Sequence, residues 1–108
     1  MTTELLYYVL KSLTDRDSIK LSDINSKYDI FYFYQDKSCS IDAHRLMHLC
    51  KLFALDNGFK IQSGYTDIDE ATATLRFSDR VEIFVSDTES KAVFEATQFI
   101  IDKLLKGE

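Results

Sequence analysis

His44 and His48 stand four residues apart in a stretch of helical periodicity, so one helix face would present two imidazoles, a common starting point for a metal site. Asp42 and Lys51 are their neighbours, but the intervening glutamate of a zinc-protease helix is missing, and Cys50 points well away from His48 on a helical wheel. A solvent-facing or interface pair is the simpler reading, since imidazoles on a polar helix face need no special explanation. Cys39 lies just ahead of the same helix, where a helix N-terminus aimed at it would lower its thiol pKa. Nucleophilic catalysis would still need a Cys–His contact that sequence does not show, and an ordinary loop cysteine is the plainer expectation. Cys50 falls on the apolar side and is expected in the core.

Asp67, Asp69 and Glu70 form an acidic cluster, joined by Asp87 and Glu89 if the intervening strands stack. A calcium loop needs more oxygen ligands at regular positions and a central glycine, so a solvated turn is the better reading. Paired carboxylates for hydrolysis would have to face each other across a cleft, and nothing in the spacing places them so. The three glycines, Gly58, Gly64 and Gly107, are too far apart for a phosphate-cradling loop, which removes Walker-type and Rossmann-type nucleotide chemistry. The expectation is therefore a protein without catalytic residues, resident metal or cofactor, acting by binding.

The elements that must position these residues follow from periodicity. Leu6, Val9, Leu10 and Leu13 recur at helical steps over residues 4 to 13, and the Ser-, Asp- and Asn-rich stretch from Thr14 to Lys27 reads as a connection, with at most one helical turn at Ser22 to Asn25. Residues 28 to 34, rich in Tyr, Phe and Ile, are the strongest strand signal, with apolar bodies on both faces. Ser40 is placed to cap a helix carrying Ala43, Leu46, Met47, Cys50, Phe53 and Ala54, which stops at Asn57-Gly58. Three strands follow, over Phe59–Gln62, Ala73–Phe77 and Val81–Val85, the last two joined by Ser78-Asp79. Ser86-x-x-Glu89 has capping-box spacing before a final helix with a broad apolar face through Val93, Ala96, Ile100 and Leu104.

The order α-β-α-β-β-β-α predicts an α/β chain of the α+β type, a single domain over residues 1–108. Its mainly antiparallel four-stranded sheet would carry the second and third helices on one face. The first helix would cover the other face, or leave the tyrosines of the first strand open. Hydrophobic residues make up 45% and charged residues 29%, a balance suited to a folded chain. Thirteen basic against eighteen acidic side chains give a net charge of −5, so a positive field for nucleic acid or anionic lipid is lacking. A protein partner with a basic surface fits better. Six tyrosines supply amphipathic contact area, and Tyr28, Tyr32 and Tyr34, with His44, His48, Asp67, Asp69 and Glu70, are the candidate binding residues. No apolar run has signal or membrane-spanning length and the two cysteines form no CxxC pair, both consistent with a cytoplasmic setting.

Ser38-Cys39-Ser40-Ile41-Asp42-Ala43 resembles the Ser, Asp and Ala signature opening the helix of the phage ABA-sandwich domain family. Residues Asp87 to Ala96 resemble that family's closing Thr-x-x-x-Ala-hydrophobic-x-x-Ala helix, while the N-terminal third does not match it. The resemblance spans residues 38–106 and implies helix–sheet–helix layering, a phage or prophage origin and an accessory role such as inhibiting a host defence or nucleic-acid-processing complex. It carries no catalytic residues. A small-molecule or nucleotide-binding protein, with its ligand at the sheet or at a homodimer seam, is the alternative.

Overall fold

The computed structural model describes Val9, the backbone of strand residues 19–23, 29–34 and 37–41, and residues 42–106 with their side chains. Its elements run β1 (Ile19–Asp23), β2 (Asp29–Tyr34), β3 (Lys37–Asp42), α1 (Ala43–Asp56), β4 (Lys60–Asp67), β5 (Glu70–Phe77), β6 (Arg80–Ser86) and α2 (Glu89–Leu105). The class is α+β, with every strand pair antiparallel.

Among the described residues the expected four-stranded sheet is instead two three-stranded sheets, β1-β2-β3 and β4-β5-β6, so each half of the order is a strand meander followed by a helix. The aromatic strand does not join the C-terminal sheet because its neighbours in sequence occupy both its edges. Ile19 pairs with Tyr34 on one side, and Tyr32 with Cys39 on the other. Neither flanking strand announces itself, since Ser38-Cys39-Ser40 and Lys20-Leu21-Ser22 are poor in the β-branched and aromatic residues that signal a strand. The connection expected over Thr14 to Lys27 thus contains a strand, with Ser22 in it rather than in a helical turn. The helix expected over residues 4 to 13 lies outside the described residues except for Val9, which is helical and fully buried.

Both helix starts also differ from expectation. Ser40 sits within β3, and the cap of α1 is Asp42, whose Oδ1 accepts from the His44 and Arg45 amides at 2.8 and 3.3 Å. Ser86 ends β6, and the cap of α2 is Thr88, whose Oγ1 accepts from the Lys91 amide at 3.3 Å. A carboxylate or hydroxyl one turn ahead of the apolar face satisfies the orphan amides equally well, and strand pairing holds Ser40 and Ser86 extended. The stop at Asn57-Gly58 is as expected: Gly58 takes φ +83°, open to it for want of a Cβ, and Asn57 caps the last turn.

The core lies between the two helices and one face of the second sheet. Leu46, Cys50, Phe53 and Ala54 of α1 and Val93, Ala96, Ile100 and Ile101 of α2 bury against Ile61, Ala73 and Leu75, with Val9 in the same cluster. Alanines at 73, 92 and 96 let helix and sheet backbones approach, while each fully buried Leu or Ile contributes about 1.5–3 kcal/mol by leaving water. Thr97, fully buried, is satisfied by donating from Oγ1 to the Val93 carbonyl at 2.8 Å. Phe59, Phe77, Phe99 and Phe84 form a chain of rings with centroids 5.2–5.9 Å apart, the first two contacts tilted and Phe99–Phe84 edge-on, and Lys103 Nζ lies 5.2 Å from the Phe77 centroid.

Candidate interaction surface

Register decides which side of β6 faces the core. Ala73 lies opposite Ser63 and Phe84, and Leu75 opposite Ile61 and Glu82, so the inward set of β5 forces Phe84 inward, where it packs on Phe99. The alternate residues Val81, Ile83 and Val85 then point to the outer face and are 49%, 63% and 55% exposed. Pattern alone would bury them, because they are the regular apolar positions of Val81-Glu82-Ile83-Phe84-Val85. A one-residue change of register exchanges the two faces completely.

The outer face is laid out in rows. Lys60, Arg76 and Val81 form one, Gln62, Thr74 and Ile83 the next, and Gly64, Thr72 and Val85 the third. The face therefore grades from polar side chains on β4, through half-buried threonines on β5, to a β-branched apolar stripe on β6. Solvated sheet faces are ordinarily polar, and a contiguous apolar stripe on one marks a contact surface. Among the described residues no strand pairs with the far edge of β6, which runs without a register shift. The opposite edge, β4, is blunted by a register shift between Tyr65 and Asp67, and by Gly64 and Lys60.

The acidic residues singled out by sequence sit at one end of this sheet. Asp67 closes β4, where its Oδ1 accepts from the Ile68 amide at 2.7 Å, Asp69 is exposed in the turn, and Glu70 opens β5. Glu70 Oε1 accepts from Thr66 Oγ1 at 2.8 Å, so the cluster is built as a hairpin turn. Because Tyr65, Ala71 and Ser86 are in register, Asp87 and Glu89 follow at the same end. Lys91 Nζ, 3.2 Å from Asp87 Oδ1, holds that carboxyl below its ordinary value by hydrogen bond and charge. Glu89 Oε2 accepts from Ser63 Oγ at 2.9 Å, tying α2 to β4.

His44 and His48 are both exposed on α1, the first within the helix's opening turn. Among the described residues no three His, Cys, Asp or Glu side chains are grouped so as to hold a metal ion. Cys39 is the β3 partner of Tyr32, four positions before the helix. Cys50 is fully buried, and burial pushes its thiol up to about 12, so at neutral pH it is a protonated core group rather than a nucleophile. Tyr32 and Tyr34 belong to β2, whose side chains, like Tyr28 altogether, lie outside the described residues. The structure thus brings together Asp67, Asp69 and Glu70, and does not join them to His44 and His48 in one described site. It adds Val81, Ile83 and Val85, which sequence reading assigned to a strand without identifying the exposed side.

No described helix is long and apolar enough to cross a membrane. Comparison of the chain with family models, with curated proteins and with solved structures finds no match.

Proposed function

We propose that this chain is a non-catalytic binding protein that takes a protein partner on the outer face of its second sheet. The observation that carries the reading is the inverted pattern of β6, where Val81, Ile83 and Val85 are presented to solvent while Phe84 packs inward. An apolar stripe exposed on a sheet has a cost in water that contact with a partner removes. The acidic turn Asp67, Asp69 and Glu70 borders the same sheet, so a suitable partner offers an apolar patch beside a basic one. The net charge of −5 would favour its approach. The resemblance of Ser38–Ala43 and Asp87–Ala96 to the phage ABA-sandwich domain supports a phage- or prophage-type accessory role, with a bacterial defence or nucleic-acid-processing complex as the target.

Affinity capture from bacterial lysate tests this by comparing the natural chain with Val81→Thr/Ile83→Thr/Val85→Thr, reading retained proteins and small molecules by mass spectrometry. A protein retained by the first and reduced more than tenfold with the second is expected. Identical profiles, or a retained metabolite indifferent to the triple change, overturn the proposal.

A further inference from the structure

We infer that the outer edge of β6, unpaired among the described residues, pairs with β6 of a second copy of this chain, antiparallel and centred on Ile83, joining two three-stranded sheets into one of six. The strand Arg80–Ser86 is seven residues long and unshifted in register, with no partner on its outer side among the described residues. An unshifted edge of this kind is a template for another strand, and natural chains that stay single blunt such edges. Here the register shift and Gly64 sit on β4, whereas the charged residues of β6, Arg80 and Glu82, pair with each other.

The strand is complementary to itself in one register. With Ile83 on the two-fold axis, Ile83 meets Ile83, Val81 meets Val85, Arg80 meets Ser86 and Glu82 meets Phe84, and all seven residues are used. On the outer face this joins two stripes into a continuous row of six β-branched residues, the pairing that sheets favour. Centring on Glu82 instead opposes two carboxylates, centring on Phe84 leaves Arg80 and Val81 unpaired, and centring on Val81 or Val85 leaves most of the edge unpaired. Charge selects the same orientation. Arg80 stands at one end of β6 and Asp87 and Glu89 follow the other, so antiparallel pairing sets the Arg80 end of each copy against the acidic end of its partner. A parallel arrangement would set like ends together. Glu82, the one carboxylate on the strand, lies 3.3 Å from Arg80 Nη2 in its own copy and in this register does not face its counterpart. The interface is isologous and closes at two copies, leaving the outer face open and doubled for the partner proposed above.

The test is the solution mass of the full chain by sedimentation and native mass spectrometry, for the natural sequence and for Ile83→Lys and Ile83→Glu. The natural chain should reach twice the monomer mass as concentration rises, each variant alone should stay monomeric, and an equimolar mixture of the two should form a one-to-one dimer, because residue 83 faces its own copy. Should either variant fail to fold, Val81→Lys/Val85→Lys mixed with Val81→Glu/Val85→Glu carries the same test, since positions 81 and 85 face each other. A natural chain monomeric throughout, a dimeric Ile83→Lys, or a mixture that does not associate overturns the inference. If the natural chain is monomeric yet the captured protein is still lost on the triple threonine change, the second copy is refuted and the partner reading stands.

Discussion

Replacing Val81, Ile83 and Val85 together by threonine should cost little stability while removing the surface, and the structure fixes how little. Full burial of an aliphatic side chain is worth about 1.5–3 kcal/mol. Ile83 is 63% exposed, so only about a third of that is realised at its position, and Val81 and Val85, each near half exposed, realise about half. Threonine keeps the β-branch and turns its hydroxyl to water, so each change gives up part of that share, about 0.3–0.5 kcal/mol, and the triple about 1 kcal/mol. Leu75→Ala, one strand away on the inner face, empties a fully buried position and should cost about 2–5 kcal/mol. For a domain of this size 1 kcal/mol moves Tm by about 4–8 °C, so the triple variant should melt about 5 °C low and Leu75→Ala at least twice as far below the natural chain. The assay is thermal unfolding by circular dichroism at dilute protein, since association would add its own stabilisation. A triple variant as damaged as Leu75→Ala would show that the stripe is packed within the fold, and the partner reading would fall with it.

How much of this was legible in sequence depends on whether a feature is local. The helix through Ala43, Leu46, Cys50, Phe53 and Ala54, its stop at Asn57-Gly58 and the Ser78-Asp79 turn all follow from neighbours within a few residues, and the structure places them accordingly. Caps slipped by two residues at both helices because several oxygen-bearing side chains precede each apolar face, and which one caps depends on where strand pairing releases the backbone. The sheet count failed for a less local reason. Ser38-Cys39-Ser40 is a strand because residues 29–34 supply the partner, not because its own residues prefer that shape. The candidate surface was hidden for the same reason: the alternation of Val81, Ile83 and Val85 is visible, but the face they occupy is dictated by Ala73 and Leu75 across the ladder and by Phe99 beyond it. The acidic end is the intermediate case, where hairpin register alone brings Glu70 and Asp87 to one side.

Two further expectations concern the frame that holds this surface. Asp42→Ala removes the acceptor for two amides of the first turn of α1 and should lower stability by about 1 kcal/mol, read as a drop in the denaturant midpoint at unchanged slope; an unchanged midpoint would show that another group caps the helix. Cys50 should make the fold sensitive to alkali. Its thiol is raised by burial from an ordinary 9.0 to about 12, so above pH 9 the unfolded chain gives up this proton while the folded chain keeps it. Fewer protons bound by the unfolded state means that stability falls as pH rises: the contribution is whole below pH 9 and is lost progressively toward pH 12. Tyrosines and lysines titrate in the same window, so the measurement is a difference, chemical denaturation of the natural chain and of Cys50→Ala at pH 7, 9 and 10.5. The alanine variant starts less stable, because it leaves a small void beside Thr97, but it should lose less on going alkaline. Parallel losses in the two proteins would mean that the thiol ionises within the folded state, and therefore that the interface between α1 and α2 admits water.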